Sequence, residues 1–475
     1  MHLVDLGILA VYMVAMLGIG AYFFRRNVDT DDYYVGGRKL GVWHVGFSVV
    51  ATDVGGGFSI GLGGLGFAMG LSGSWMLFTG LLGAWLAAVV LIPRVKRNPA
   101  LARALTFPDL FKQTYGGRVA VLAGLISAVG YLGFTSSQLL AGAKLANGTF
   151  ADLDLQAALW IMGAVAVVYT VMGGLKAVIY TDTVQWAVLM VGLLFIGLPV
   201  AYTAVGGWDA IRQALPPEML HLNNLGWQTL VKWAVTIVPI WFVGMTLYQR
   251  IYACRDEKTA QRAWFLAGLL EWPVMAFMGV ALGMLARVAA EQGLFSVVDP
   301  EAGLPMLLRT VMPVGLMGLI LAAYFSAILS TADSCLMACS GNLVNDILVT
   351  LLGLDPNGKS MLRLSQLTTL ILGVMALLLA SQMTSVLDLM LYSYAFLVSG
   401  LFIPVLGALF IKQPSPVAAV AAMLLGGGTT VCLQVGGWSL PLGLDPNFFG
   451  LSASMFSFAL CQLIWGRSSI FSAEG

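Results

Sequence analysis

Residues 326–346, SAILSTADSCLMACSGNLVND, concentrate hydroxyls, amides and two carboxylates in an otherwise apolar part of the chain. At 100° per residue, Ala327, Ser330, Thr331 and Ser334 fall on one helical face, with Asp333 at its edge. A carboxylate at bilayer depth costs about 2.5–3.5 kcal/mol on insertion scales, so this stripe must point into the protein. A row of hydroxyls backed by carbonyls offers hard oxygen ligands, and the chemistry it suits is the binding of an alkali cation, Na⁺.

A second segment has matching chemistry. Residues 46–70 read GFSVVATDVGGGFSIGLGGLGFAMG, with Asp53 just before Gly55, Gly56 and Gly57. Each glycine weakens a helix by about 1 kcal/mol relative to alanine. Small residues can serve close helix packing. The stronger reading is a discontinuous helix whose freed carbonyls line a cavity, because Asp53 otherwise has no partner. Other polar positions are less decided. Asp182, in GGLKAVIYTDTVQW, reads equally as a capping carboxylate or a functional one. Glu271, in LLEWPVM, either pairs with a cavity cation or hydroxyl or is structural, and Asp388 sits at a span end where water reaches it. Pro239 is expected to kink the segment that carries Trp241 and Tyr248.

The elements that position these groups follow from composition. Of 475 residues, 59% are hydrophobic and 10% charged, against about 25% charged in soluble domains. Uncharged runs near 20 residues recur from end to end, the length that crosses about 30 Å of hydrocarbon as helix. The fold class is therefore an all-α polytopic membrane protein, in contact with lipid throughout. Thirteen spans are expected: 3–24, 42–68, 72–93, 117–146, 156–173, 178–204, 228–252, 262–289, 311–345, 362–381, 384–411, 416–435 and 446–466. The first is longer than a signal-peptide core and lacks a basic flank before it, so it is expected to stay. With the N-terminus outside and the C-terminus inside, inner connections collect nineteen of the 24 Lys and Arg residues, among them Arg25, Arg26, Arg250 and Arg467. Connections 94–115, 206–226 and 291–310 are the longest, the second with a short amphipathic helix near 208–215. A broken second span and a kinked seventh, five spans apart, point to two inverted repeats, 42–204 and 228–411. One helix precedes them and two (416–466) follow.

Several function classes drop out. Net charge of +1 gives no field for nucleic acid. Five cysteines without CxxC spacing suggest neither a disulfide framework nor, with three scattered histidines, a transition-metal site. No nucleophile–base grouping speaks for an enzyme, no repeated filter segment for a channel, and no obligate protein partner or organic cofactor is indicated.

Five strings carry a resemblance: DDYYVGGR, ATDVGGGF, GGLKAVIYTDTVQ, YQRIYACRDEKTAQRA and AAYFSAILSTADSCLMACSGNLVNDI. Over about residues 3–411 the chain resembles the sodium:solute symporter family, with the proline and choline transporters as nearest branches. The resemblance implies a LeuT-type core of ten helices and a main Na⁺ site on the carbonyls of Ala51, Val54 and Ala327 and the hydroxyls of Ser330 and Thr331. It implies a second Na⁺ position on Asp182, Ser330, Asp333 and Ser334, with an acid at 333 where several members have serine. The solute wall maps to Asp53, Gly55, Gly56, Phe58, Gln138, Trp241 and Met245. The aromatic positions of the choline branch map near Asp53, Thr135 and Met245, which disfavours choline. The expected activity is sodium-coupled import of a small polar solute (amino acid, amine, monocarboxylate or sugar) across a bacterial inner membrane. Proton coupling through Asp53 or Asp333 is the alternative.

Overall fold

The computed structural model describes residues 2–24, 34–150, 153–296, 299–353 and 359–466. Arg25, Arg26, Arg467 and the first residues of DDYYVGGR lie outside the described residues. Among the described residues the chain is helical, apart from loops and an isolated bridge between Leu40 and Cys254. Among the described residues, nine helical segments are long and apolar enough to cross a membrane, and the bent pair Trp227–Val243 and Met245–Ala253 makes a tenth. Shorter apolar helices at Leu3–Ile19 and Leu155–Val168 add to these, a set compatible with thirteen crossings.

The centre of the molecule is the Leu316–Gly341 helix, which is buried on almost every side. It packs against the Leu3–Phe24, Val42–Val54, Gly117–Thr149 and Leu155–Leu189 helices. A helix surrounded in this way can carry a polar stripe only if the neighbours supply partners. Pro416–Gly436 and Pro446–Trp465 pack on each other and on Val386–Phe410 at the periphery. Their outer faces leave Leu424, Val435, Phe456 and Leu463 exposed, as lipid requires.

Two contacts explain how unusual sequence features are accommodated. The first-turn amides of the central helix need acceptors. Asp5, from the first helix, accepts from Gly315 N at 2.7 Å and Gly318 N at 2.9 Å, and its negative charge meets the positive end of the helix dipole. Gly318 permits this approach, since a Cβ there would lie 2.8 Å from the Asp5 Cα. The second contact concerns Pro239, which does not mark the bend. It stays inside Trp227–Val243, and the 42° break falls at Gly244. The carbonyl four residues before the proline, Val235, instead accepts from Asn447 Nδ2 at 3.1 Å, and the same amide reaches Thr236 Oγ1 at 2.9 Å. A replaced hydrogen bond removes most of the reason to kink.

The apolar stretches Leu155–Val168 and Val178–Ala204 correspond to the expected spans 156–173 and 178–204, and helical backbone runs on between them as Leu155–Leu189, extended through a π segment to Ala204. The connections 94–115 and 291–310 contain helices, Pro108–Tyr115 and Pro300–Val311. The latter had a readable start: Asp299 caps Glu301 N at 3.0 Å with Pro300 in the first turn. The amphipathic helix near 208–215 is present as Gly207–Ala214.

Asp5→Ala is expected to lower stability by about 1 kcal/mol through loss of the cap, while Asp5→Asn keeps an acceptor and loses less. Thermal unfolding of the purified protein checks this, and equal melting of both variants with the wild type would remove the capping role.

Candidate functional site

The helix break lies where the glycines put it. Val42–Val54 ends and Gly56–Met69 begins around Gly55, whose backbone (φ 14°, ψ −173°) leaves the helical region. A Cβ on Gly55 would stand 2.6 Å from Thr331 Cβ, and one on Gly56 would stand 3.1 Å from Ile328 Cβ. The two readings of the glycine run therefore hold together: it interrupts the helix, and it lets the interruption touch the Leu316–Gly341 helix.

Four of the five expected main-site ligands converge at that contact. Ser330 Oγ lies 3.3 Å from the Ala51 carbonyl oxygen and 3.1 Å from that of Ala327. Thr331 Oγ1 lies 3.2 Å from each of the same two carbonyls. Val54, of which only the backbone is described, ends its helix, so its carbonyl is among those with no intrahelical donor. Ser330 and Thr331 are fully buried. Oxygens ligating a cation of calcium or sodium size, at about 2.4 Å, sit roughly 3.4 Å from one another. The cluster has that spacing and that chemistry, hard and neutral, so the residues present fit Na⁺.

The expected second site is arranged differently. Arg250, counted from sequence among inner-loop cations, is fully buried, and its guanidinium sits between the Asp182 and Ser334 side chains. Nη2 donates to Asp182 Oδ2 at 3.1 Å, Ser334 Oγ at 2.8 Å and Thr52 Oγ1 at 2.5 Å. Nε donates to Ser48 Oγ at 2.9 Å and Nη1 to the Thr246 carbonyl at 3.1 Å, and Ser48 in turn donates to Asp182. Asp182 Oδ2 takes the bonds from Arg250 and Ser48, while its Oδ1 is buried without a hydrogen-bond partner. The residue is the counter-ion of an arginine that joins four helical segments. Asp333 is also buried, and both of its oxygens lack a hydrogen-bond partner.

Beside the break, a narrow cavity is lined by Thr52, Asp53, Tyr131, Phe134, Ile240, Gly244, Thr246, Leu247 and Tyr394. Of the expected solute wall, Asp53 lies here. Gly55 and Gly56 border it in sequence but face Thr331 and Ile328. Trp241 packs against Gly83, and Met245 accepts from Phe107 N at 3.0 Å, both outside the lining. Gln138 lies one turn along its helix from Phe134 and bonds Ser137 Oγ at 3.2 Å. The Phe58 side chain lies outside the described residues. Tyr131, Phe134 and Tyr394, which were not among the expected positions, give this cavity its aromatic lining. Glu271 is buried, against Gly80, and both its oxygens lack a hydrogen-bond partner.

A broken helix whose carbonyls meet a hydroxyl stripe on a second, buried helix defines a secondary transporter of LeuT-type fold. The model of the sodium:solute symporter family matches residues 33–426, and the chain belongs to that family. It is 28% identical over 471 residues to the osmoregulated proline transporter OpuE of Bacillus subtilis, covering 97% of this chain and 94% of the relative. It is 26% identical over 464 residues to a sodium/proline symporter of Staphylococcus aureus, covering 93% and 88%. Among solved structures, a substrate-bound, outward-open Na⁺-coupled sialic acid symporter superposes with a TM-score of 0.80 at 20% identity, over 97% of this chain and 98% of that one. Mhp1, a nucleobase-cation-symport-1 family transporter, superposes at 0.56 with 14% identity, over 92% and 94%. The protein is thus an integral membrane symporter coupled to sodium, not an enzyme.

Arg250→Ala is expected to cost about 3–5 kcal/mol, because it strands a buried carboxylate. Arg250→Lys should recover little, since one ammonium cannot replace a fork with five acceptors. Arg250→Ala combined with Asp182→Asn should regain part of the loss. Melting temperatures test this, and an Arg250→Ala protein as stable as wild type would refute it.

Proposed function

We propose that Ala51, Val54, Ala327, Ser330 and Thr331 hold the coupling Na⁺, and that a small organic solute binds in the adjoining cavity at Asp53. The observation that carries this reading is the convergence of Ser330 and Thr331 on the Ala51 carbonyl, one turn before the Gly55 break. Sodium there ties the broken helix to the Leu316–Gly341 helix and fixes the backbone that walls the cavity. Solute and ion then tighten each other by the same factor, as linkage demands. The proline transport of the curated relatives and the sialic acid of the structural neighbour support a small organic solute.

Arg250 brings to Asp182 and Ser334 the positive charge that a second sodium would bring, which supports coupling to one ion. One charge moving through 100 mV yields about 2.3 kcal/mol, and a tenfold gradient about 1.4 kcal/mol more. The total supports between two and three decades of accumulation for a neutral solute, roughly, at 1.4 kcal/mol per decade. Import is across a bacterial inner membrane with the N-terminus outside, as the Lys and Arg distribution supports. Repeats 42–204 and 228–411 move against each other; their breaks at Gly55 and Gly244, five expected spans apart, support the pairing. Membership of a sodium-coupled family favours Na⁺ over a proton carried by Asp53 or Asp333.

Ser330→Ala and Thr331→Ala are each expected to raise the half-saturating sodium concentration at least tenfold, with insertion and expression little changed. Sodium titration of uptake or of thermal stabilisation reads this, and unaltered sodium dependence in the double variant would assign the ion elsewhere.

A further inference from the structure

We propose that the chain carries a seat for an anionic phospholipid at the start of the Glu257–Leu270 helix, with the headgroup phosphate on Lys258 and Arg262 and an acyl chain along Phe265 and Leu269. The seat is separate from the sodium pocket and from the solute cavity. Lys258, Arg262, Phe265 and Leu269 follow one another at i, i+4, i+7 and i+11, which is one stripe of the helix. All four are exposed, while Ala260, Ala263, Trp264 and Ala267 on the opposite face are buried. The stripe changes from basic to apolar along a membrane span that begins at Glu257. That is the order of a phospholipid at a membrane surface, phosphate at the water and hydrocarbon beneath it.

The basic end of the stripe borders an open groove of about 620 Å³, lined also by Arg97, Arg255 and Val42. Two carboxylates share the groove with these cations, and both are engaged. Glu257 accepts from Arg97 Nε and Nη2 at 2.7 Å each. Asp256 accepts from Thr259 N at 2.7 Å as the cap of its own helix and lies 3.3 Å from Arg255 Nε. Among the described residues Lys258 and Arg262 form no ion pair, so positive charge is left over at the groove. A guanidinium takes phosphate oxygens through paired N–H donors, and a lysine adds a mobile point charge.

Charge complementarity commits the groove to an anion, and the apolar wall beneath it commits the anion to a lipid. Trp85 extends that wall: its ring meets Phe265 edge to face at 5.9 Å, and its Nε1 donates to the Phe265 carbonyl at 3.2 Å. Across the groove Val42 opens the broken helix, and the next residue, Trp43, is 64% exposed, as aromatic rings at headgroup level are. The Val42–Val54 and Glu257–Leu270 helices pack on each other. A bound phosphate neutralises the cations gathered at their shared end, so it should tighten that contact and raise the melting temperature.

The test uses the purified full-length chain in an uncharged detergent, with phosphatidylglycerol, phosphatidylcholine or glycerophosphate added. Phosphatidylglycerol is expected to raise the melting temperature at concentrations roughly tenfold or more below those at which phosphatidylcholine acts, and to stay bound in native mass spectrometry. Lys258→Gln combined with Arg262→Gln should raise the phosphatidylglycerol concentration needed by about tenfold or more. Arg212→Gln, which removes an exposed cation from the Gly207–Ala214 helix, should leave it unchanged. Equal action of the two lipids would overturn the inference. So would a wild-type response in the double variant, whose folding is read from its melting in lipid-free detergent. An equal loss in Arg212→Gln would replace the seat with general surface charge. Glycerophosphate acting as well as the lipid would overturn the lipid assignment in favour of a soluble phosphate. Neither sodium nor solute enters any arm, so failure here leaves the sodium-coupled reading standing.

Discussion

The architecture depends on one close approach, the broken helix against the hydroxyl face of the Leu316–Gly341 helix. Neither helix is stable in its observed form alone. The first leaves the helical region at Gly55, and the second buries a polar stripe that hydrocarbon would penalise. Each supplies what the other lacks, carbonyls on one side and hydroxyls on the other, and the absence of side chains at Gly55 and Gly56 allows them to meet. Asp5 from the first helix anchors the N-terminal end of the same central helix, so the helix that precedes the ten-helix core is part of its support.

Much of this was legible because it is periodic. Ser330, Thr331 and Ser334 share a face at helical spacing, and three consecutive glycines interrupt a span visibly. What the sequence did not disclose are partnerships between distant residues. Arg250 stands in YQRIYACR, which reads as the basic inner end of a span, and counting charges for topology absorbed it there. The available signal was Asp182, an acid in an apolar run that required a buried counter-ion. Pro239 misled for a similar reason: whether a proline kinks a helix depends on what reaches the orphaned carbonyl, and Asn447 lies more than two hundred residues away.

The lining of the cavity beside the break was the least legible. Trp241 and Met245 sit in a segment that borders it, but around the bend at Gly244 it is Ile240, Thr246 and Leu247 that face it. A change of one residue in the position of a break turns the following helix by about 100°, and sequence fixes breaks no better than that. Glu271 has the same history. As a single acid in a span it was ambiguous, and only the structure shows that it is fully buried against Gly80.

Two ties of opposite character join the same pair of helices within one turn. Ser48 and Thr52 on one side and Ser334 on the other share the Arg250 guanidinium, a covalently tethered cation that cannot leave. Ala51 on one side and Ser330 and Thr331 on the other form a pocket of neutral oxygens, which in the proposed reading holds a cation that can leave. A permanent charge beside an exchangeable one gives the pair a fixed contact about which the glycine break can hinge. If both ties were exchangeable, ion release would let the helices part; if both were permanent, sodium would have nothing to control. The asymmetry arises from one arginine placed among the side chains of the expected second ion position, and in the proposed reading it leaves the neutral-oxygen pocket as the tie that sodium controls.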